Sequence, residues 1–363
     1  MSTGQYVFFY LSGFMINFST RLKTARLRKG WSLQELADAV QLSKQAISKY
    51  ELEQSVPDMQ RLLQLCEVLG VRPDYFTRKE LIVLEEVEFR KLVKFPEKEK
   101  QRLLEITRDE LERYLELEDI LGIDTETENP LAGKTVSTLE EADLASQKLR
   151  REWHLGDGPI ANVIEMLEKN AVKVIEIDTQ DSFSGLSTKV GNINVIVLNN
   201  SRNLSLDRKR FTALHELGHI LMDIRTDNEK LKENICHRFA AAMLFPAVLV
   251  EASLGKRRSK LLFPEIGALK MQWGISMAAI VMRANHLGII SDSYYKSYMF
   301  LLSKWGYKKQ EPEKYDYQGS EKSTRFEQLL FKALAEELIS QSKAAGLMNM
   351  KLADFLDEYE KHI

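Results

Sequence analysis

The stretch FTALHELGHILM, residues 211–222, contains the pattern H-E-x-x-H and guides the interpretation of the larger part of this 363-residue chain. In a helix, a spacing of four residues places His215 and His219 on one face, one turn apart, so that both imidazoles can bind the same tetrahedral zinc ion. Glu216, next to the first histidine, is placed to take a proton from water at that metal. The pattern therefore predicts a helix over residues 206–221 that carries a zinc site with Glu216 as its catalytic base.

A catalytic zinc ion also needs a third protein ligand and an open position for water. The next helical stretch, residues 228–244, carries Glu233 and runs into FAAAMLFP, residues 239–246. Together with RKRFT at residues 208–212, this arrangement resembles the signature of the ImmA/IrrE-like zinc metallopeptidases, with Cys236 in a position usually held by alanine. The resemblance implies that Glu233 is the third zinc ligand.

The resemblance covers about residues 130–300 and includes strand-like segments at 172–177, 185–190 and 194–198. Gly191-Asn192 between the last two segments is a hairpin signal. Resemblance to the family also implies that this hairpin offers an edge on which an extended peptide can lie, with Ser187 and Asn199 near the cleft. Neither residue is expected to be catalytic.

One further histidine, His237, follows Glu233 by one helical turn. It is a candidate for a partner of the zinc ligands or for the donor that stabilises the oxyanion, but a histidine in such a position on a helix is more often merely packed or solvated. For the site as a whole, the alternative is a metal-stabilised, inactive domain. An intact Glu216 argues against that alternative, because a purely structural zinc site has no use for a base.

A second pattern lies near the N-terminus, in residues 31–51, WSLQELADAVQLSKQAISKYE. Ser32 and Ser43 are suitable N-caps for two short helices, and Leu36, Ala37, Val40 and Ile47 can pack between them. These residues resemble the XRE-type, phage repressor-like helix-turn-helix family over about residues 17–78. The alternative hypothesis is a helical bundle that is used only for contacts with other proteins.

The second helix of such a motif presents its N-terminal residues to base edges, while flanking helix ends contact phosphates. Glutamine suits adenine, lysine suits guanine or phosphate, and serine suits either. The predicted DNA-binding residues, which share the exposed ends and face of this motif, are Ser32, Ser43, Lys44, Gln45, Ser48 and Lys49. Because such domains resemble dimeric palindrome binders, we expect a homodimer on a palindromic double-stranded operator.

The segments of the chain differ in net charge. The whole sequence has a formal charge of −2, but residues 16–78 hold 10 Lys/Arg against 7 Asp/Glu, a net of +3, and residues 79–128 hold 9 against 16, a net of −7.

The chain is longer than a single hydrophobic core usually grows, so we expect two or more domains. The predicted segments are an N-terminal extension (1–16), a helix-turn-helix domain (17–78), a helical acidic connector (79–129), a metallopeptidase domain (130–300) and a C-terminal region that is helical in pattern from residue 311 onward (301–363).

The connector has apolar pairs at helical intervals. It is predicted to be either a dimerisation or spacing helix, or a helix that lies on its own neighbouring domain. The two cysteines, Cys66 and Cys236, lack disulfide or zinc-type spacing, which favours the cytoplasm. The apolar stretch from Tyr6 to Ile16 is too short to span a bilayer, and Met15 is an alternative start to Met1.

The predicted fold class is α+β, predominantly helical. The leading hypothesis is a cytoplasmic DNA-binding transcriptional regulator with a zinc-dependent endopeptidase domain and no membrane association. The family resemblance implies that the substrate is another repressor or a toxin-antitoxin partner. The rival hypothesis is a non-proteolytic, antitoxin-like regulator whose second domain only senses a ligand or binds a toxin.

Overall fold

The computed structural model describes residues 18–78, 82, 84, 95–123 and 128–360. The predicted N-terminal extension and both possible start positions therefore lie outside the described residues, as does part of the connector. Helices predominate and two small sheets accompany them, which confirms the predicted α+β class. Among the described residues, one compact unit comprises 18–78 with 82 and 84, 95–123 and 326–360, and the other comprises 128–325.

In chain order, the helices are α1 (residues 18–28), α2 (Leu33–Ala39), α3 (Lys44–Glu51), α4 (Met59–Leu69), α5 (Glu97–Ile120), α6 (Leu139–Glu152), α7 (Val163–Lys169), α8 (Leu206–Leu221), α9 (Glu229–Leu244), α10 (Ala247–Leu254), α11 (Phe263–Trp273), α12 (Met277–His286), α13 (Asp292–Lys304), α14 (Arg325–Ala335), α15 (Gln341–Leu347) and α16 (Leu352–Glu360). The strands are β1 (Thr135–Val136), β2 (Lys173–Ile177), β3 (Gly185–Val190), β4 (Ile193–Asn199) and β5 (Asp223–Ile224).

The first unit contains the predicted helix-turn-helix. The hydroxyls of Ser32 and Ser43 accept hydrogen bonds from the backbone N–H groups of Glu35 and Ala46, so each serine caps its helix. Gln41, in the turn between the helices, has a φ of 54°, a left-handed conformation that lets the chain reverse within a few residues. The helices close on an apolar core that includes Phe18, Leu22, Leu36, Ile47, Leu65 and Phe76.

Helix α5, in the predicted connector, packs within this same unit. Asp109 accepts a hydrogen bond of 2.6 Å from Arg28 of α1, and Arg113 donates one of 2.6 Å to the carbonyl of Leu347 in α15. Apolar contacts with the C-terminal helices surround Tyr114. Of the two roles left open by its amphipathic pattern, the structure favours a helix that lies on its own neighbouring domain.

The C-terminal region does not form the continuous helical stretch predicted from residue 311. Residues 311–324 contain one short 3₁₀ turn and are otherwise irregular, and they belong to the second unit. Helix α14 begins only at Arg325. The reason is a long-range contact: Glu321 is buried in an ion pair with Arg210, which a helical pattern in the tail does not reveal.

The second unit is built around a three-stranded sheet of order β2-β4-β3, in which β2 and β4 are parallel and β3 and β4 form the predicted antiparallel hairpin. Strand β3 is therefore an edge strand. Helix α8 packs on β3 and β4, and α9 packs between α8 and α6. In the described part of the chain, no single helix is long and apolar enough to cross a membrane; α9 and α10, bent by 63°, meet that test of length and composition only as a pair.

Candidate metal centre and nucleic-acid interface

Helices α8 and α9 bring the three predicted zinc ligands together. Nε2 of His215 lies 3.1 Å from Nε2 of His219. The carboxylate of Glu233 places Oε2 3.2 Å from His215 Nε2 and Oε1 3.4 Å from His219 Nε2. Two imidazoles and one carboxylate thus converge on a single point.

This triangle has the dimensions of a zinc site. With Zn–N bonds of about 2.0–2.1 Å, two ligands of a tetrahedral ion lie about 3.3 Å apart, and the three observed separations bracket that value. The two imidazoles are buried, whereas 35% of the Glu233 side chain is exposed, so the centre faces solvent on the Glu233 side. The residues fit a zinc ion that has three protein ligands and one accessible side.

The electrostatics of Glu233 agree with a ligand role. Hydrogen bonds from the imidazoles of His215 and His219 hold the pKa of the Glu233 carboxyl well below its usual range. An ionised carboxylate is the form that binds a metal. The carboxylate is therefore kept in its binding form at neutral pH.

Glu216, the predicted base, is buried in α8 beside this centre, with 2% of its surface exposed. Its Oε2 accepts a hydrogen bond of 3.0 Å from the hydroxyl of Ser187, a fully buried residue of β3. The serine is 29 residues away in sequence, and its contact with Glu216 has no local sequence signal. This hydrogen bond fixes the orientation of the Glu216 carboxylate and connects it to the edge strand β3.

Two glycines allow the elements to approach closely enough to form the site. A Cβ at Gly218, within H-E-L-G-H, would lie 3.2 Å from Phe239 and 3.5 Å from the sulfur of Cys236, so glycine lets α9 pack tightly on α8. A Cβ at Gly185 would lie 2.8 Å from Thr212 and 2.9 Å from the carbonyl of Val197, so glycine lets α8 sit on the hairpin. Larger side chains would push Glu233 or Ser187 away from the centre.

His237 also reaches the centre. One of its ring nitrogens lies within 4.8 Å of ligand atoms of His215 and Glu233. Its exposed ring stacks on Phe211, with centroids 5.8 Å apart, and lies against the ring of His215 at 4.5 Å. The structure therefore places His237 at the solvent side of the centre. The side-chain amide of Asn199, by contrast, donates hydrogen bonds to the carbonyls of Gln180 and Phe183, in the loop at residues 179–183.

The predicted DNA-binding residues lie together at the surface of the first unit. Lys44, Gln45 and Lys49 are exposed on α3, and Ser48 is half-buried on the same helix. Ser32 and Ser43 are exposed at the N-termini of α2 and α3, where each hydroxyl is engaged in capping. Each serine therefore shapes the N-terminus of its helix.

One basic residue beside this surface was not singled out by the sequence. Lys98, in α5, pairs with Glu35 of α2, with Nζ 3.2 Å from Oε1. Hydrogen bonds from the backbone and side chain of Ser32, followed by Lys98, lower the pKa of the Glu35 carboxyl to about 2. Lys98 thus balances the charge of a carboxylate in the first turn of α2.

Comparisons with known proteins match both parts of the chain. Residues 22–76 match a helix-turn-helix family model, and residues 167–285 match the model of the IrrE N-terminal-like domain. Both predicted resemblances are thereby confirmed. Over 61 residues the chain is 38% identical to an SPbeta prophage-derived uncharacterized HTH-type transcriptional regulator, YonR, of Bacillus subtilis (strain 168); the match spans 17% of this chain and 56% of that protein.

Among solved structures, the apo form of ComR from S. thermophilus is similar over 92% of this chain and 99% of that one, at 16% identity and a TM-score of 0.16. A TM-score this low supports no inference about fold or function. The relation of this chain to known protein families therefore rests on the two domain matches.

Proposed function

We propose that this chain, with its helix-turn-helix domain at residues 22–76 and its IrrE N-terminal-like domain at residues 167–285, is a transcription regulator that is also a zinc endopeptidase. The observation that carries the proposal is the convergence of His215, His219 and Glu233 beside the buried carboxylate of Glu216. In this proposal the protein acts in the cytoplasm, binds a palindromic operator as a homodimer, and cleaves another repressor or a member of a toxin-antitoxin pair.

The peptidase reaction follows from the roles of the individual residues. His215, His219 and Glu233 would hold the zinc ion, which would supply a Lewis acid for the attack of water on a peptide carbonyl. Glu216 accepts the proton from the attacking water and passes it to the leaving amine as the C–N bond breaks. Ser187 holds one oxygen of that carboxylate, so the base has a fixed direction throughout.

The same serine indicates where the substrate backbone lies. Ser187 is part of β3, and β3 is at the edge of its sheet. An extended peptide that adds to this edge forms main-chain hydrogen bonds and runs past Glu216.

Zinc binding is the first test. We expect the purified full-length protein to hold one zinc ion per chain, measured by plasma mass spectrometry. His219→Ala should weaken zinc binding by more than the roughly 10- to 100-fold that loss of an outer hydrogen-bond partner costs, in a competition titration with a chromophoric chelator. His154→Ala, which alters an exposed histidine at the end of α6, is the matched control. A protein that binds no zinc, or equal affinities in both variants, contradicts the proposed centre.

DNA binding is tested on the exposed face of α3. Lys44→Ala combined with Gln45→Ala should lower affinity for the protein's own promoter DNA by roughly 10- to 100-fold, because a good base contact is worth about 1–3 kcal/mol. Loss of one lysine–phosphate contact should also reduce the salt dependence of binding by about one unit of slope. Fluorescence anisotropy at several salt concentrations measures both.

The matched control for this test is Lys169→Ala combined with Gln272→Ala, which removes an exposed lysine and glutamine from the other unit. Its affinity for the same DNA should equal that of the unmodified protein. Unchanged affinity in the α3 variant contradicts the proposed interface.

A further inference from the structure

A cavity of about 470 Å³ lies within the second unit, next to the candidate metal centre. Its size falls within the range of small-ligand sites. Helices α6, α8, α9 and α12 contribute its walls. Half of the lining residues are apolar: Leu139, Phe211, Ala241, Ala278, Ala279 and Met282.

One residue of the cavity wall also lies beside the candidate metal centre. His237 is one of its lining residues, and a nitrogen of His237 lies within 4.8 Å of ligand atoms of His215 and Glu233. Phe211, stacked on His237, forms another part of the wall. A side chain that occupies this cavity therefore belongs to a backbone segment that lies beside the metal centre.

The charged residues of the wall are already committed to partners. Arg238 donates to Oδ2 of Asp143 at 2.5 and 2.9 Å, and Arg283 donates to Oδ1 of the same carboxylate and to the carbonyl of Phe245. Partial burial and these two guanidinium groups lower the pKa of His286 to about 4, so its ring is neutral at pH 7. What the wall offers to an occupant is mainly apolar surface.

We propose that this cavity receives one large apolar side chain, aliphatic or aromatic, from the substrate residue next to the scissile peptide bond. The inference rests on the proposed peptidase function and adds the class of residue at which cleavage occurs. A peptide that lies on the edge of β3 with its carbonyl at the metal centre has the side chain of an adjacent residue within reach of His237. Burial of that side chain in the cavity selects the bond to be cleaved.

The test uses small hydroxamic acids, whose hydroxamate group chelates zinc. In one series, substituted succinyl hydroxamates, the side chain stands on the amine side of the mimicked bond; in the other, N-acetyl amino acid hydroxamates, it stands on the acyl side. Each series carries hydrogen, isobutyl or benzyl. Binding to the zinc-loaded full-length protein is measured by isothermal titration calorimetry. In one of the two series, isobutyl or benzyl should bind at least roughly tenfold more tightly than hydrogen.

Two substitutions in α12 locate the effect. Ala279→Phe places a phenyl ring in the cavity and should reduce the advantage of the larger groups, while the binding of the compounds that carry hydrogen stays unchanged. Met282→Ala enlarges the cavity at a residue that is 37% exposed, so it should shift the preference from isobutyl toward benzyl with little effect on folding. Ala252→Phe, at an exposed position of α10, is the matched control and should behave as the unmodified protein.

The outcomes separate this inference from the proposed function. Equal affinities within both series, or an advantage that Ala279→Phe leaves intact, overturn the cavity as a side-chain site while the zinc centre stands. Absence of zinc from the protein, or of any hydroxamate binding to the zinc-loaded form, overturns the proposed peptidase centre and the cavity inference with it. A preference that Ala279→Phe reduces and Met282→Ala alters supports the inference.

Discussion

Replacement of Glu216 with glutamine is expected to lower proteolysis by about 10²- to 10⁴-fold, the contribution typical of a positioned acid-base group. Glutamine keeps the shape of the side chain and can still bond to Ser187, but it cannot accept the proton of the attacking water. The zinc ligands are untouched, so the zinc content per chain should not change. Loss of activity with full metal content is the signature of a missing base rather than a damaged site.

The measurement compares protein N-termini in cells that express the unmodified chain with those in cells that express Glu216→Gln. New termini that depend on Glu216 identify the substrate and the bond. Glu165→Gln, on the exposed face of α7, serves as the matched control and should retain cleavage. If Glu216→Gln leaves every terminus unchanged while the protein still binds zinc and DNA, the non-proteolytic regulator becomes the better account.

Local sequence patterns explain why part of this site was predictable. The bounds predicted for α8 are those that the structure has, because H-E-x-x-H and the apolar positions around it share one helical register. Glu233 could be assigned because residues 233–246 resemble the downstream motif of the ImmA/IrrE-like family, and the structure places this residue within α9. The caps Ser32 and Ser43 are likewise local, since each hydroxyl bonds to a backbone N–H three residues later.

The contacts that a sequence pattern cannot reveal are those between distant segments. Ser187 and Glu216 meet only because the β hairpin lies under α8, and neither segment carries a local signal of the other. The position of His237 depends on a stack with Phe211 from a different helix. The segment 311–324 resembles the start of a helical tail until its anchoring residue, Glu321, is seen inside the second unit.

The ion pair between Arg210 and Glu321 is expected to be the interaction on which the stability of the second unit depends most. Arg210 and Glu321 are both fully buried and form an ion pair. Glu321 also accepts hydrogen bonds from the backbone N–H groups of Val163 and Ile164, and Arg210 donates to the carbonyl of Gly274 at 3.0 Å. The pair therefore joins the start of α7, helix α8, the end of α11 and the irregular segment at 311–324.

Glu321→Ala should lower the free energy of unfolding of this unit by about 3–5 kcal/mol, because it leaves the guanidinium of Arg210 buried without its counter-charge. Urea unfolding followed by tryptophan fluorescence measures the change. In a Trp31→Phe background, the remaining tryptophans, Trp153, Trp273 and Trp305, all belong to the second unit, so the signal reports on that unit alone.

Two further variants make the result interpretable. Glu165→Ala breaks an exposed pair with Lys169, whose side chain is 70% exposed, and should cost less than about 1 kcal/mol. Arg210→Met combined with Glu321→Leu removes both charges and should recover part of the loss, since the penalty arises from the unpaired ion. Because Arg210 precedes His215 by little more than one turn of α8, Glu321→Ala should also weaken zinc binding. A loss of stability no larger than that of Glu165→Ala would mean that the segment at 311–324 does not hold the metal-binding helix in place.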